Sequence, residues 1–120
     1  MSNEHAYLYQ YRIVIRNWYD GDTVTVDIDL GFGVWLKKQK LRLYGVDTPE
    51  LRGKERPEGI RARDEVRKNW PEGTEMTVRT IRDRTGKYGR WLAIMMPDDM
   101  PISINEWLVD EGMAEVPDWD

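Results

Sequence analysis

The sequence has no cysteine, one histidine and one phenylalanine in 120 residues. The missing thiols exclude disulfides, cysteine nucleophiles and zinc sites built from Cys and His. A Ser-His-Asp triad would have to use His5, in the N-terminal segment "MSNEHAYLYQ", and is not expected. No run approaches the roughly 18 apolar residues that span a membrane, so no membrane partner is expected. The N-terminal segment has neither a basic n-region nor an apolar h-region. It does not read as a secretory leader, which favours a cytoplasmic or virus-encoded protein, or a secreted one whose leader was removed. Only oxygen donors remain for metal binding, and they select hard cations such as calcium or magnesium.

What is present has the size of one domain, residues 1–120, with one core. Net charge is −4, but the charge is unevenly placed. Lys37 to Arg90 contains 16 basic and 9 acidic residues, whereas the chain from Trp91 onward has 8 acidic residues and no basic one. An acidic chain can therefore still present an electropositive face.

The element pattern is three strands, a helix, two strands and a helix. "YLYQYRIVIRNW" is rich in aromatic and β-branched residues and predicts a strand. After the turn signal "DGD", "TVTVDIDL" alternates, with Val24, Val26 and Ile28 on one face and Thr25, Asp27 and Asp29 on the other. "VWLKKQKLRLYGV" predicts a third strand whose apolar parity shifts between Leu36 and Leu41, which implies a bulge or a separate hairpin arm near Lys37–Lys40. "EGIRARDEVRKNW" predicts a helix with Ala62, Val66 and Trp70 on one stripe. "TEMTVRTI" and "RWLAIMM" predict strands around a loop, "RDRTGKYG". "ISINEWLVDEG" predicts a second helix with Ile104, Leu108 and Trp107 facing inward and Gly112 at its end. Five short strands with a helix after the third make a five-stranded OB-fold Greek-key barrel with two packed helices one candidate among several small α+β folds.

Three clusters stand out: Asp20 and Asp22 in "YDGDTV"; Arg42, Asp47 and Glu50 in "LRLYGVDTPE"; Lys87, Tyr88 and Arg90 in "GKYGRWLA". Singly, each also reads as a turn, a helix cap or a hairpin tip. Together they supply what metal-assisted phosphodiester hydrolysis needs. Aspartates hold a hard cation, a further carboxylate takes a proton from water, and two planar guanidinium groups neutralise charge on the five-coordinate phosphorus. Arg42 lies between Leu41 and Leu43, so strand alternation turns it away from a core that holds the leucines.

In these segments, and in "INEWLVDEGMAEV", the sequence resembles the staphylococcal nuclease-like (thermonuclease) family from about Tyr11 to Val116. The resemblance implies an OB-like barrel and a calcium-dependent nuclease that cleaves single- and double-stranded DNA and RNA, leaving 3′-phosphate ends. It implies Ca²⁺ as the cofactor, held by the carboxylates of Asp22 and Asp47 and the Thr48 backbone carbonyl, with Asp20 behind them. Glu50 would be the general base, or the group that orders the attacking water. Arg42 and Arg90 would bind the scissile phosphate, and Lys87 and Tyr88 the terminal phosphate and sugar. DNA and RNA are the implied partners, and a monomer is expected.

The pattern departs from the family in three places. The hairpin from Asp27 to Lys40 is longer and brings Phe32, Trp35, Lys37 and Lys38, which extend the substrate surface or simply cover the barrel. The loop Leu51 to Arg56 is shorter, and its Arg52, Lys54 and Arg56 track a phosphate backbone or are solvated loop charge. Asp118 stands where the family type has a base-stacking tyrosine, and Trp119 beside it is a candidate platform. The alternative reading is a non-catalytic nucleic-acid- or protein-binding module on the same fold. Degenerate relatives lose the arginines and carboxylates, whereas Asp22, Arg42, Asp47, Glu50 and Arg90 are all present here.

Overall fold

The structure, a computed structural model, describes residues 9–85 and 89–117, without the side chains of 82–85. His5, Lys87, Tyr88, Asp118 and Trp119 lie outside the described residues. Five strands, β1 (Gln10–Asp20), β2 (Thr23–Asp29), β3 (Trp35–Leu43), β4 (Glu75–Thr85) and β5 (Trp91–Met96), close into a barrel in the order β1-β2-β3-β5-β4. Helix α1 (Arg56–Asn69) follows β3, and helix α2 (Ile104–Asp110) follows β5. The β3–β5 pair is parallel and the other neighbours are antiparallel, which is the expected OB-type closure.

The alternation of β2 is realised. Val24, Val26 and Ile28 point into the barrel and are buried with Ile13, Ile15, Leu41, Leu43, Met76 and Met95. Asp27, on the opposite parity, is nevertheless buried, because Arg16 Nε lies 2.6 Å from its carboxylate and the Lys38 N–H donates to it at 2.9 Å. This is where the predicted bulge falls. Val26 pairs with Gln39 and Ile28 with Leu36, so Lys37 and Lys38 together oppose Asp27.

Helix α1 sets its buried Gly59, Ala62 and Val66 against the barrel, with Pro57 in its first turn, where no intrahelical N–H is needed. Trp70 ends the helix, accepts a hydrogen bond at its carbonyl from Trp18 Nε1 at 2.9 Å, and meets Trp107 of α2 edge-on at 5.0 Å. Ser103 caps α2 by accepting from the Glu106 N–H.

One boundary differs from expectation. β4 continues through Arg82–Thr85, in the segment predicted as loop, and Thr85 pairs with Trp91 after a register shift. Ladder bonds use backbone groups only, so a polar run can extend a hairpin if its backbone meets a partner. Among the described residues, no helix is long and apolar enough to cross a membrane.

Candidate active site

The turn from β1 to β2 brings Asp20, Gly21 and Asp22 against the loop that leaves β3. Gly21 is required by space. A Cβ there would come within 2.8 Å of Thr48 Cγ2 and 3.0 Å of Ala62 Cβ. That closeness lets Asp22 Oδ2 accept from the Thr48 backbone N–H at 2.9 Å. Asp22 Oδ1 accepts from the Thr23 hydroxyl at 3.2 Å.

Leu41 and Leu43 are fully buried, and Arg42 between them faces outward, as alternation requires. Its guanidinium spans two carboxylates: Nη1 is 3.1 Å from Asp22 Oδ2, and Nη2 is 3.1 Å from Asp47 Oδ1. Nη1 also donates to the carbonyls of Val46 (2.9 Å) and Leu43 (3.2 Å). A lysine cannot bridge two acids and two carbonyls at once.

Asp47 is anchored from a remote part of the chain. It exchanges both backbone hydrogen bonds with Glu115 at 2.9 Å. Asn105 of α2 holds the preceding turn, donating to the Tyr44 and Ala93 carbonyls and accepting from the Met95 N–H. Arg90, at the entry to β5, reaches the same cluster by donating from Nη1 to the Thr23 hydroxyl at 3.1 Å.

Glu50 is exposed on the loop that carries Asp47. Its backbone N–H donates to Glu55 Oε1 at 2.8 Å, and Gly59 of α1 lies against its carbonyl. A Cβ on Gly59 would sit 2.4 Å from that oxygen. Asp20, Asp22, Arg42, Asp47, Thr48 and Arg90 are thus brought into one bonded cluster, with Glu50 on the same loop. The sequence reading missed Thr23, which links Arg90 to Asp22. It also missed Gly59, though a glycine within a helix, ordinarily about 1 kcal/mol worse than alanine, signals close packing.

The cluster has a surplus of negative charge. Burial, then the hydrogen bond with Asp22 and the charge of Asp22, push the Asp20 carboxyl up to about 7, against the pull of the Asp22 N–H and Arg42. Such a place suits a cation. Among the described residues no three acidic side chains converge as a ready cage. The available donors are the Asp22 and Asp47 carboxylates and nearby main-chain carbonyls, all oxygen, which fits a hard ion that keeps part of its shell for water or phosphate. The Thr48 hydroxyl is buried beside them with no hydrogen-bond partner among the described residues.

Residues 40–119 match the model of the family described as "Staphylococcal nuclease homologue". The chain is also 36% identical over 120 residues to a protein named "Thermonuclease" from Staphylococcus hyicus, an alignment covering 95% of this chain and 62% of that protein. The family match takes in Arg42, Asp47, Thr48, Glu50 and Arg90. On the breadth of these two matches, and on a barrel of the expected order, the chain belongs to the staphylococcal nuclease homologue family.

Proposed function

We propose that this chain, acting as one staphylococcal nuclease-like unit, is a calcium-dependent nuclease. It hydrolyses DNA and RNA, single- or double-stranded, to products with 3′-phosphate ends. The observation that carries the reading is the single guanidinium of Arg42 between Asp22 and Asp47, with Arg90 tied to the same cluster through Thr23. The thermonuclease from Staphylococcus hyicus supports it by its name and its 36% identity.

Asp22, Asp47 and the Thr48 carbonyl would hold Ca²⁺, with Asp20 behind them. When bound, the ion supplies Lewis-acid polarisation of a phosphoryl oxygen. Glu50 accepts a proton from the attacking water, or orders that water, as its oxygen bonds to phosphorus and the bond to the 5′ oxygen breaks. Arg42 and Arg90 donate to the phosphate oxygens, where charge rises in the transition state. Their attachment to Asp22, Asp47 and Thr23 fixes them beforehand, so little reorganisation is left for the reaction itself. Arg90 would also face the leaving oxygen, which takes up a proton to balance the step. Lys87 and Tyr88 would contact the terminal phosphate and the sugar.

The test is digestion of single-stranded DNA with calcium, with chelator, and with the Glu50→Ala and Arg90→Ala variants. The proposal expects cleavage that needs calcium, falls sharply in both variants and leaves 3′-phosphate ends. Binding without cleavage, equal in all three proteins, would make the chain a binding module. Products with 5′-phosphate ends would refute the assigned bond.

A further inference from the structure

The outer face of β3 carries cations well beyond the cluster. Leu36, Gln39 and Leu41 line the barrel mouth or interior, so Trp35, Lys40 and Arg42 lie on the outer side. Lys40 opposes Thr25 of β2 and Arg42 opposes Thr23. With a strand rise of about 3.3 Å per residue, Lys40 stands about 6.6 Å from Arg42 along the strand.

The bulge continues this row. Asp27 accepts from the Lys38 N–H, Lys38 takes a left-handed backbone with φ 56°, and both Lys37 and Lys38 are exposed. A non-glycine residue in that region is uncommon and is held there by its surroundings. The Asp27 charge is largely engaged by Arg16 at 2.6 Å, with Lys37 Nζ at 3.5 Å. Among the described residues neither Lys38 nor Lys40 has a carboxylate within ion-pair distance. Arg16, Thr25, Lys37 and Lys38, with the carboxylates of Asp27 and Glu72, border a groove of roughly 580 Å³. The Lys37 ammonium lies 5.0 Å from the ring centre of Trp35, which is 40% exposed.

We propose that this face is a binding track for a single-stranded stretch of the nucleic acid, several nucleotides from the bond that is cut. Lys40 and Lys38 neutralise successive phosphates, and Trp35, with Lys37 over one face of its ring, stacks on a base. The track rests on the nuclease reading only for its starting point at Arg42. A single row of cations matches one backbone, not the two of a duplex. A stacking ring needs an unpaired base, and the faces of strands two and three are where five-stranded barrels of this kind bind oligonucleotides. The apolar hairpin tip, with Phe32 fully exposed, makes a lipid surface the competing occupant. The row of cations leading along the strand back to Arg42 favours nucleic acid.

The experiment measures fluorescence anisotropy of labelled oligothymidylates of two and twelve nucleotides, in chelator so that nothing is cut. The proteins are the parent, the Lys38→Gln/Lys40→Gln double variant and Trp35→Ala. These side chains are exposed, and thermal unfolding confirms that each variant folds. For the twelve-mer, Kd is expected to rise roughly tenfold or more in the double variant, and its salt slope to fall by about 0.7 per lysine. Trp35→Ala should weaken the twelve-mer by about tenfold. Dinucleotide affinity should not change. Equal losses for both lengths, or an unchanged twelve-mer, would overturn the track. So would pelleting with phosphatidylserine vesicles that the variants lose while twelve-mer affinity stays constant. Length-dependent binding through this face with no calcium-dependent cleavage would refute the nuclease and leave the track standing. Cleavage of both lengths with KM unchanged in the variants would do the reverse.

Discussion

Asp22 accepts a hydrogen bond from the Thr48 backbone N–H at 2.9 Å, joining positions 26 residues apart. The bond seats the loop carrying Asp47 against the turn carrying Asp20, and the proposed chemistry depends on that seating. Asp22→Asn keeps an acceptor for the Thr48 N–H but removes the charge that faces Arg42. The fold should survive, and cleavage should drop by roughly a hundredfold or more, the scale of losing one preorganised electrostatic contact. The calcium concentration for half-maximal rate should rise as well. A calcium titration of the cleavage rate checks both.

Thr23 links Arg90 to Asp22 through one hydroxyl. Thr23→Val keeps the β-branched shape that suits a strand and deletes that hydroxyl. Arg90 then loses this contact, and kcat should fall about ten- to hundredfold, the usual scale for groups that orient others. The Arg90→Ala background separates positioning from direct action. There, Thr23→Val should cost little more.

Gly59→Ala opposes two local effects. Helix propensity alone would favour alanine by about 1 kcal/mol. The new Cβ, however, meets the Glu50 carbonyl oxygen at 2.4 Å and the Pro49 oxygen at 2.8 Å, both main chain. Overpacking of this kind costs about 1–3 kcal/mol, so the variant should be less stable in urea unfolding. Cleavage should fall too, because relief of the clash moves the loop that carries Glu50.

Asp27 sets an acid limit on stability. The Lys38 N–H first, then Arg16 and Lys37, hold its carboxyl below the usual carboxylate range despite burial. A group whose folded pKa is depressed contributes stability above its unfolded value, about 3.9, and loses it as pH falls through the folded value. Urea unfolding from pH 7 down to pH 2 should therefore show a loss of stability starting near pH 4–5 that is shallower in Asp27→Asn. At pH 7 the variant should be less stable than the parent, because the amide leaves Arg16 without its charged partner.

The strands, both helices, the bulge and the outward turn of Arg42 were legible in the sequence, because local periodicity reports which side of an element is apolar. The end of β4 was not legible. Its pairing uses backbone groups, which no side-chain pattern records. The burial of Asp27 was also hidden, since alternation assigns a face but cannot say that Arg16 will cover it.

By itself the sequence determined which groups were available for chemistry. With no cysteine and one histidine, oxygen donors and guanidinium groups were the material at hand, and their clusters carried the family resemblance. Only the tertiary structure decided that Arg42 lies between Asp22 and Asp47, that Thr23 joins Arg90 to them, and that Glu115 pins Asp47 from the other end of the chain. These are contacts between segments distant in sequence, made when the barrel closes β3 onto β5 and α1 packs against the loop. Spacing along a chain says nothing about the angle at which two such segments meet. That angle is set by the core that both of them bury.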